Sequence, residues 1–128
     1  MNRAVIGIGS NIEPERNVAA AVDRIAADHE LLARSRFVMT KPVGPPGQAE
    51  FLNGAILIRT GLSRSELRAY LRRVEKDSGR VRTSDRYAPR PIDLDILVFN
   101  GRITDRDVRT REFLRSAVRE LCPDLALD

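Results

Sequence analysis

Residues Ile92–Phe99 read IDLDILVF, a short apolar run broken only by two aspartates. Its length and β-branched content make it a strand. Side chains alternate along a strand, so Asp93 and Asp95 share one face while Ile92, Leu94 and Ile96 take the other. Outward from it, Arg80–Pro91 is a polar loop, preceded by a helix that starts at the Ser63-x-x-Glu66 capping box. That helix carries the stripe Leu67, Leu71, Val74 and stops at Gly79. Further back lie a strand at Phe51–Arg59, a Pro- and Gly-rich loop at Lys41–Glu50 and a strand within Leu32–Met39. A helix from Pro14 to about Asp28 carries Val18, Val22 and Ile25, and a first strand spans Ala4–Gly9. Beyond Phe99, the residues Phe113, Ala117, Val118 and Leu121 predict a last helix that ends before Pro123. The order β-α-β-β-α-β plus a C-terminal helix predicts an α+β, ferredoxin-like fold. Its sheet is antiparallel with helices packed on one face.

The chain has 128 residues, the size of one domain, so 1–128 is read as a single unit. It is 42% hydrophobic and 31% charged, the balance of a globular protein. No apolar run approaches the roughly 20 residues of a membrane helix. Met1-Asn2-Arg3 leads into a strand rather than a leader peptide, so a cytoplasmic location is expected. Cys122 is the only cysteine, which rules out an intrachain disulfide and a Cys-rich zinc site. His29 is the only histidine, which argues against Ser–His chemistry, and an inert surface role is expected for it. The net charge of +4 favours acidic partners, either phosphorylated small molecules or nucleic acid.

Asp93 and Asp95 stand about 6–7 Å apart along their strand. Two carboxylates that close repel unless a cation lies between them, and hard oxygen ligands without His or Cys suit magnesium. The alternative is a surface strand with each aspartate paired to an arginine. Arg80, Arg82, Arg86 and Arg90 offer planar forks that fit phosphate oxygens, or else form a solvated basic strip. Gly7-x-Gly9-Ser10-Asn11 lacks the third glycine of a dinucleotide fingerprint, and no P-loop motif occurs. Asn53 interrupts an apolar strand; its amide either reads the edge of a planar heterocycle or caps a neighbouring loop. Tyr87, inside the polar loop, reads as a stacking or lid residue.

Taken in order, four stretches resemble the 6-hydroxymethyl-7,8-dihydropterin pyrophosphokinase family. They are Gly9-Ser10-Asn11, Thr40-Lys41-Pro42-Val43-Gly44-Pro45, Phe51-Leu52-Asn53, and the segment from Gly79-Arg80-Val81-Arg82 to Arg90-Pro91-Ile92-Asp93-Leu94-Asp95-Ile96. The last resembles the family's arginine-rich loop running into P-R-x-[ILV]-D-[ILV]-D-[ILV]. The resemblance implies transfer of pyrophosphate from ATP to the pterin hydroxymethyl group, releasing AMP, in folate biosynthesis. It implies that Asp93 and Asp95 hold two magnesium ions, and that Arg82 and Arg90 act on the triphosphate with Arg80 and Arg86 in support. It assigns Thr40, Val43, Asn53 and Phe113 to the pterin, with Phe113 as the aromatic of an R-x-F motif at Arg111-Glu112-Phe113.

The sequence departs from the family after Gly101. A Pro-His segment is absent, and Asp107-Val108-Arg109-Thr110 runs straight into Arg111-Glu112-Phe113. Arg106 and Arg109 are the candidates to replace the missing histidine. The expected reading is an active pyrophosphokinase with small-molecule partners, no nucleic acid or membrane partner, and a monomeric state. A relative that binds pterin but uses ATP weakly is the alternative that the missing segment motivates. A basic nucleic-acid-binding module is the one motivated by charge.

Overall fold

A computed structural model describes residues 1–41, 46–80 and 91–127. Val43, Arg82, Arg86, Tyr87 and Arg90, together with most of the arginine-rich loop, lie outside the described residues. In chain order the elements are β1 (Asn2–Ser10), α1 (Pro14–Asp28), β2 (Glu30–Arg34), β3 (Val38–Thr40), β4 (Phe51–Thr60) and α2 (Arg64–Asp77). There follow β5 (Asp93–Phe99), β6 (Arg102–Ile103), a 3-10 turn at Arg106–Arg109 and α3 (Glu112–Leu121).

Among the described residues six strands form one antiparallel sheet in the order β2-β4-β1-β5-β6, with β3 also paired to β4. The first strand sits between the third and fourth long strands, the arrangement expected of the βαββαβ order. One strand prediction is refined. The run expected as a single strand within Leu32–Met39 is two short ones, β2 and β3. Ser35 divides them: it is buried, its backbone N–H donates to the Ala55 carbonyl, and its Oγ accepts from the Ala55 amide at 2.9 Å. Phe37 then folds its ring over Gly54, where even a methyl group would come within 2.5 Å of the ring.

Alternation along the strands separates two cores. Ala4, Ile6, Ile8, Ile56, Ile58 and Leu94 face α1 and α2, burying Val18, Val22, Ile25, Leu67, Leu71 and Val74. Val5, Ala55, Leu97 and Val98 face the other way, against Val108 of the 3-10 turn and Ala117 and Val118 of α3. The helices are therefore not all on one face. A register shift between Val5 and Ile6 opposite β5 puts an extra residue there. It allows consecutive Leu97 and Val98 to join the same core. Among the described residues α3 covers the lower half of this face, and the upper half, around Gly7 and Gly9, lines a cavity.

His29 is half-buried rather than on the surface. It follows α1 and meets the Tyr70 ring edge-on at 4.7 Å, a packing role. Among the described residues no helix is long and apolar enough to cross a membrane.

The capping box forms as the sequence predicts. Ser63 Oγ accepts from the Glu66 amide at 3.2 Å, and Glu66 Oε1 accepts from the Ser63 amide at 2.8 Å. Ser63→Ala is expected to lower stability by about 1 kcal/mol, read as a fall in the urea midpoint with an unchanged slope.

Candidate functional site

The upper half of the second face is built by register. Gly9 pairs with Asn53 on one side and Asp93 on the other; Gly7 pairs with Ala55 and Asp95. Residues opposite one another in a ladder project to the same face. Asn53 and Asp93 thus flank a central strand position that has no side chain, and Asp95 stands beside a second one. The glycines are needed for space. A Cβ on Gly9 would collide with Asn53 Oδ1, and one on Gly7 would press to 3.1 Å from the Leu97 side chain. The Asn53 amide lies across Gly9 with its Nδ2 donating to Thr40 Oγ1 at 2.6 Å.

The N-terminal end of α3 closes the opposite wall. Gly9, Asn53, Asp93, Asp95, Arg111 and Phe113 are among the residues lining a cavity of about 360 Å³. That lies within the usual range for small-molecule pockets. A larger cleft of about 990 Å³ runs between α2 and the β5–β6 region, with Arg64, Arg68, Leu71, Arg72, Asp105 and Arg106 on its walls. Asp95, Arg72 and Asp105 line both spaces, so the two meet there.

Of the sequence-predicted residues, Asn53, Phe113, Asp93, Asp95 and Arg80 line one cavity, and Thr40 reaches it through Asn53. The two candidates for the missing histidine separate. Arg106 lines the larger cleft, whereas Arg109 donates to the Leu127 carbonyl at 3.0 Å. Glu75 was not singled out by the sequence, yet it is central. It is buried and paired with Arg80 at 2.7 Å and Arg72 at 3.1 Å. Arg80 in turn reaches Asp93 at 2.8 Å. The signal was present: Glu75 falls four residues after Leu71, on the apolar stripe of α2, where a solvated glutamate would not sit.

The two aspartates differ in environment. Asp93 faces the Arg80 guanidinium. Burial, and then the negative charges of Asp93 and Asp105, push the Asp95 carboxyl up to about 6, with Arg72 opposing. The arginine pairing that the sequence offered as the alternative to a cation is seen at Asp93. Hard carboxylate donors beside a bare glycine floor fit magnesium. Among the described residues no group of three or more such side chains is arranged to hold a metal. A pair of carboxylates completed by water and phosphate oxygens is the usual magnesium arrangement.

Asp95 also makes stability depend on pH. Its folded carboxyl titrates above its unfolded value of 3.8, so the folded state binds that proton more tightly. The resulting stabilisation is full below about pH 4 and is lost as pH rises through about 6. Without metal, Asp95→Asn is expected to be more stable than the parent at pH 7.5, by on the order of 2 kcal/mol. At pH 4 the difference should vanish. Urea denaturation in EDTA at the two pH values measures it, and a pH-independent difference would contradict this account.

Residues 5–123 match the family model described as 7,8-dihydro-6-hydroxymethylpterin-pyrophosphokinase. A 2-amino-4-hydroxy-6-hydroxymethyldihydropteridine pyrophosphokinase of Methylorubrum extorquens is 37% identical, over 99% of this chain and 87% of that protein. One from Pseudomonas aeruginosa is 33% identical over 99% of this chain and 85% of its own length. A folate synthesis bifunctional protein of Arabidopsis thaliana is 38% identical over 74% of this chain and 20% of that protein. With a strand register that assembles the Asn53, Asp93, Asp95 and Phe113 cavity and a family match across nearly its whole length, the chain belongs to the 7,8-dihydro-6-hydroxymethylpterin-pyrophosphokinase family.

Proposed function

We propose that this chain, an ATP-dependent pyrophosphokinase by its family, transfers pyrophosphate from magnesium-ATP to the hydroxymethyl group of 6-hydroxymethyl-7,8-dihydropterin in folate biosynthesis. The observation that carries the reading is the meeting of two cavities at Asp95. One is small and walled by an amide and an aromatic ring; the other is larger and rimmed by arginines. A two-substrate transfer needs such a junction, because the reacting ends must be held in contact while the remainders are held apart.

The pterin occupies the smaller cavity. Its flat ring lies over the Gly7–Gly9 floor, Asn53 reads its amide-like edge with Thr40 fixing the Asn53 rotamer, and Phe113 stacks on it; Val43 is assigned to the pterin by the family resemblance alone. ATP occupies the larger cleft with its phosphates toward Asp95. The hydroxymethyl oxygen attacks the β-phosphorus, the bond from that phosphorus to the α–β bridging oxygen breaks, AMP leaves, and the hydroxyl proton passes to water.

Two magnesium ions, when bound, neutralise the triphosphate and align its oxygens. Asp93 and Asp95 are the residues that hold them. Arg82 and Arg90 spread the charge of the group in flight, with Arg80 and Arg86 gripping the phosphates beside them. Arg106 contributes a further cation on the wall of the larger cleft, in place of the family's histidine. The carboxylates at the junction repel a nucleic-acid backbone, which supports small-molecule partners. We place the chain in the cytoplasm as a single-domain monomer.

AMP release from Mg-ATP, with and without the dihydropterin, tests the reading. Pterin-dependent AMP at an ordinary enzymatic rate is expected. Pterin binding by calorimetry without AMP would instead mark a relative that keeps the pocket and has lost the transfer. Asp93→Ala is expected to cut turnover by several orders of magnitude with the circular dichroism spectrum unchanged; normal turnover would remove the cation role. Asn53→Ala is expected to raise the KM for pterin far more than that for ATP, and equal effects would make Asn53 a structural residue.

A further inference from the structure

We propose that Glu75 is a positioning residue that sets the cation affinity of the Asp93–Asp95 pair by sharing Arg80 with Asp93. The inference rests on the cation-holding role given to that pair above.

Glu75 lies late in α2 with its side chain 2% exposed. A carboxylate so deeply placed persists only with charge and hydrogen-bond partners. Those partners are not distributed at random around it. One is the Leu94 amide, which donates to Glu75 Oε2 at 2.8 Å. Leu94 is the residue between the two aspartates, and its carbonyl accepts from Arg72 Nη1 at 3.2 Å. β6 pairs only with Val98 and Phe99, so this part of β5 has no strand on its outer side among the described residues. Side chains of α2 therefore take the place of a neighbouring strand where the aspartates are displayed.

Besides Arg72, at 3.1 Å from Oε1, Glu75 meets Arg80. A single nitrogen, Nη1, lies 2.7 Å from Glu75 Oε2 and 2.8 Å from Asp93 Oδ1. Arg80 thus stands where a cation would approach Asp93, as an internal counter-charge shared between two carboxylates. A divalent ion that takes Asp93 must displace this contact. With Glu75 charged, the guanidinium keeps a buried partner after the exchange, and the exchange costs little. With Glu75 neutral, Arg80 has Asp93 as its remaining carboxylate and competes with the metal for it.

Two substitutions separate this role from simple packing. Glu75→Gln keeps the shape and an oxygen for the Leu94 amide but removes the charge. Titration of the full chain with Mn2+ alone, followed by the loss of the free-ion paramagnetic resonance signal, should show affinity weakened about 10–100-fold. Adding Arg80→Gln to that variant removes the competitor and should return the affinity to the parent value or better. Arg80→Gln by itself should tighten Mn2+ binding, and this arm remains if Glu75→Gln does not fold.

Parent-like Mn2+ affinity in folded Glu75→Gln overturns the inference, as does a double variant that stays weak. If Arg80→Gln alone binds no tighter, the sharing of Arg80 is likewise refuted. Parent binding that Asp93→Ala leaves unchanged overturns the cation-pair reading itself. Parent binding that Asp93→Ala abolishes and Glu75→Gln leaves untouched overturns only the role of Glu75.

Discussion

β1 is hydrogen-bonded on both sides, to β4 along its length and to β5 along most of it. Every register that builds the cavity is referred to this one strand. A slip of one residue would turn Asn53, or the Asp93–Asp95 pair, to the face occupied by α1 and α2. The apolar alternation that fixes the register is strong, because Ala4, Ile6 and Ile8 are buried on one side and Val5 on the other. The hydrophobic effect thus aligns a polar site it does not touch. The glycines at positions 7 and 9 are where β1 stops filling its second face and leaves room for something else.

Much of this was legible in the sequence, for definite reasons. Period-two alternation places Asp93 and Asp95 on one face, and the 3.6-residue stripe of α2 places its buried side. The capping box named the helix start to the residue. The break between β2 and β3 was not legible, because it depends on the Ser35 hydroxyl accepting from the Ala55 amide, a side-chain contact that no propensity encodes. The position of α3 was also hidden: an amphipathic helix says that one face is buried and not which side of a sheet receives it.

The site shows the same division. Asn53 and the aspartates could be singled out because each is an odd residue in its local pattern, whereas Phe113 belongs to the apolar stripe of its helix and stood out only through the resemblance to the family's R-x-F. Glu75 is odd in the same way, a glutamate on an apolar stripe, but its meaning appears only when Arg80, just past the helix, turns back to it and the Leu94 amide reaches it from β5. Asp105 is less marked still. It follows a two-residue strand in a polar stretch, and its effect on Asp95 depends on the turn that brings β6 back alongside β5.

The charges fall into two populations with different exposure. Glu75 is buried and Arg80 largely so, with side chains 2% and 9% exposed. Arg64, Arg68 and Arg106 stand exposed on the walls of the larger cleft. Dissolved ions screen the second group over about 8–10 Å and reach the first very little. Ionic strength therefore acts on how fast a polyanion is drawn to the cleft, by weakening long-range steering. It leaves the pairing of Glu75 with Arg80 largely intact, so attraction to the cleft and order beside it respond separately to the same salt.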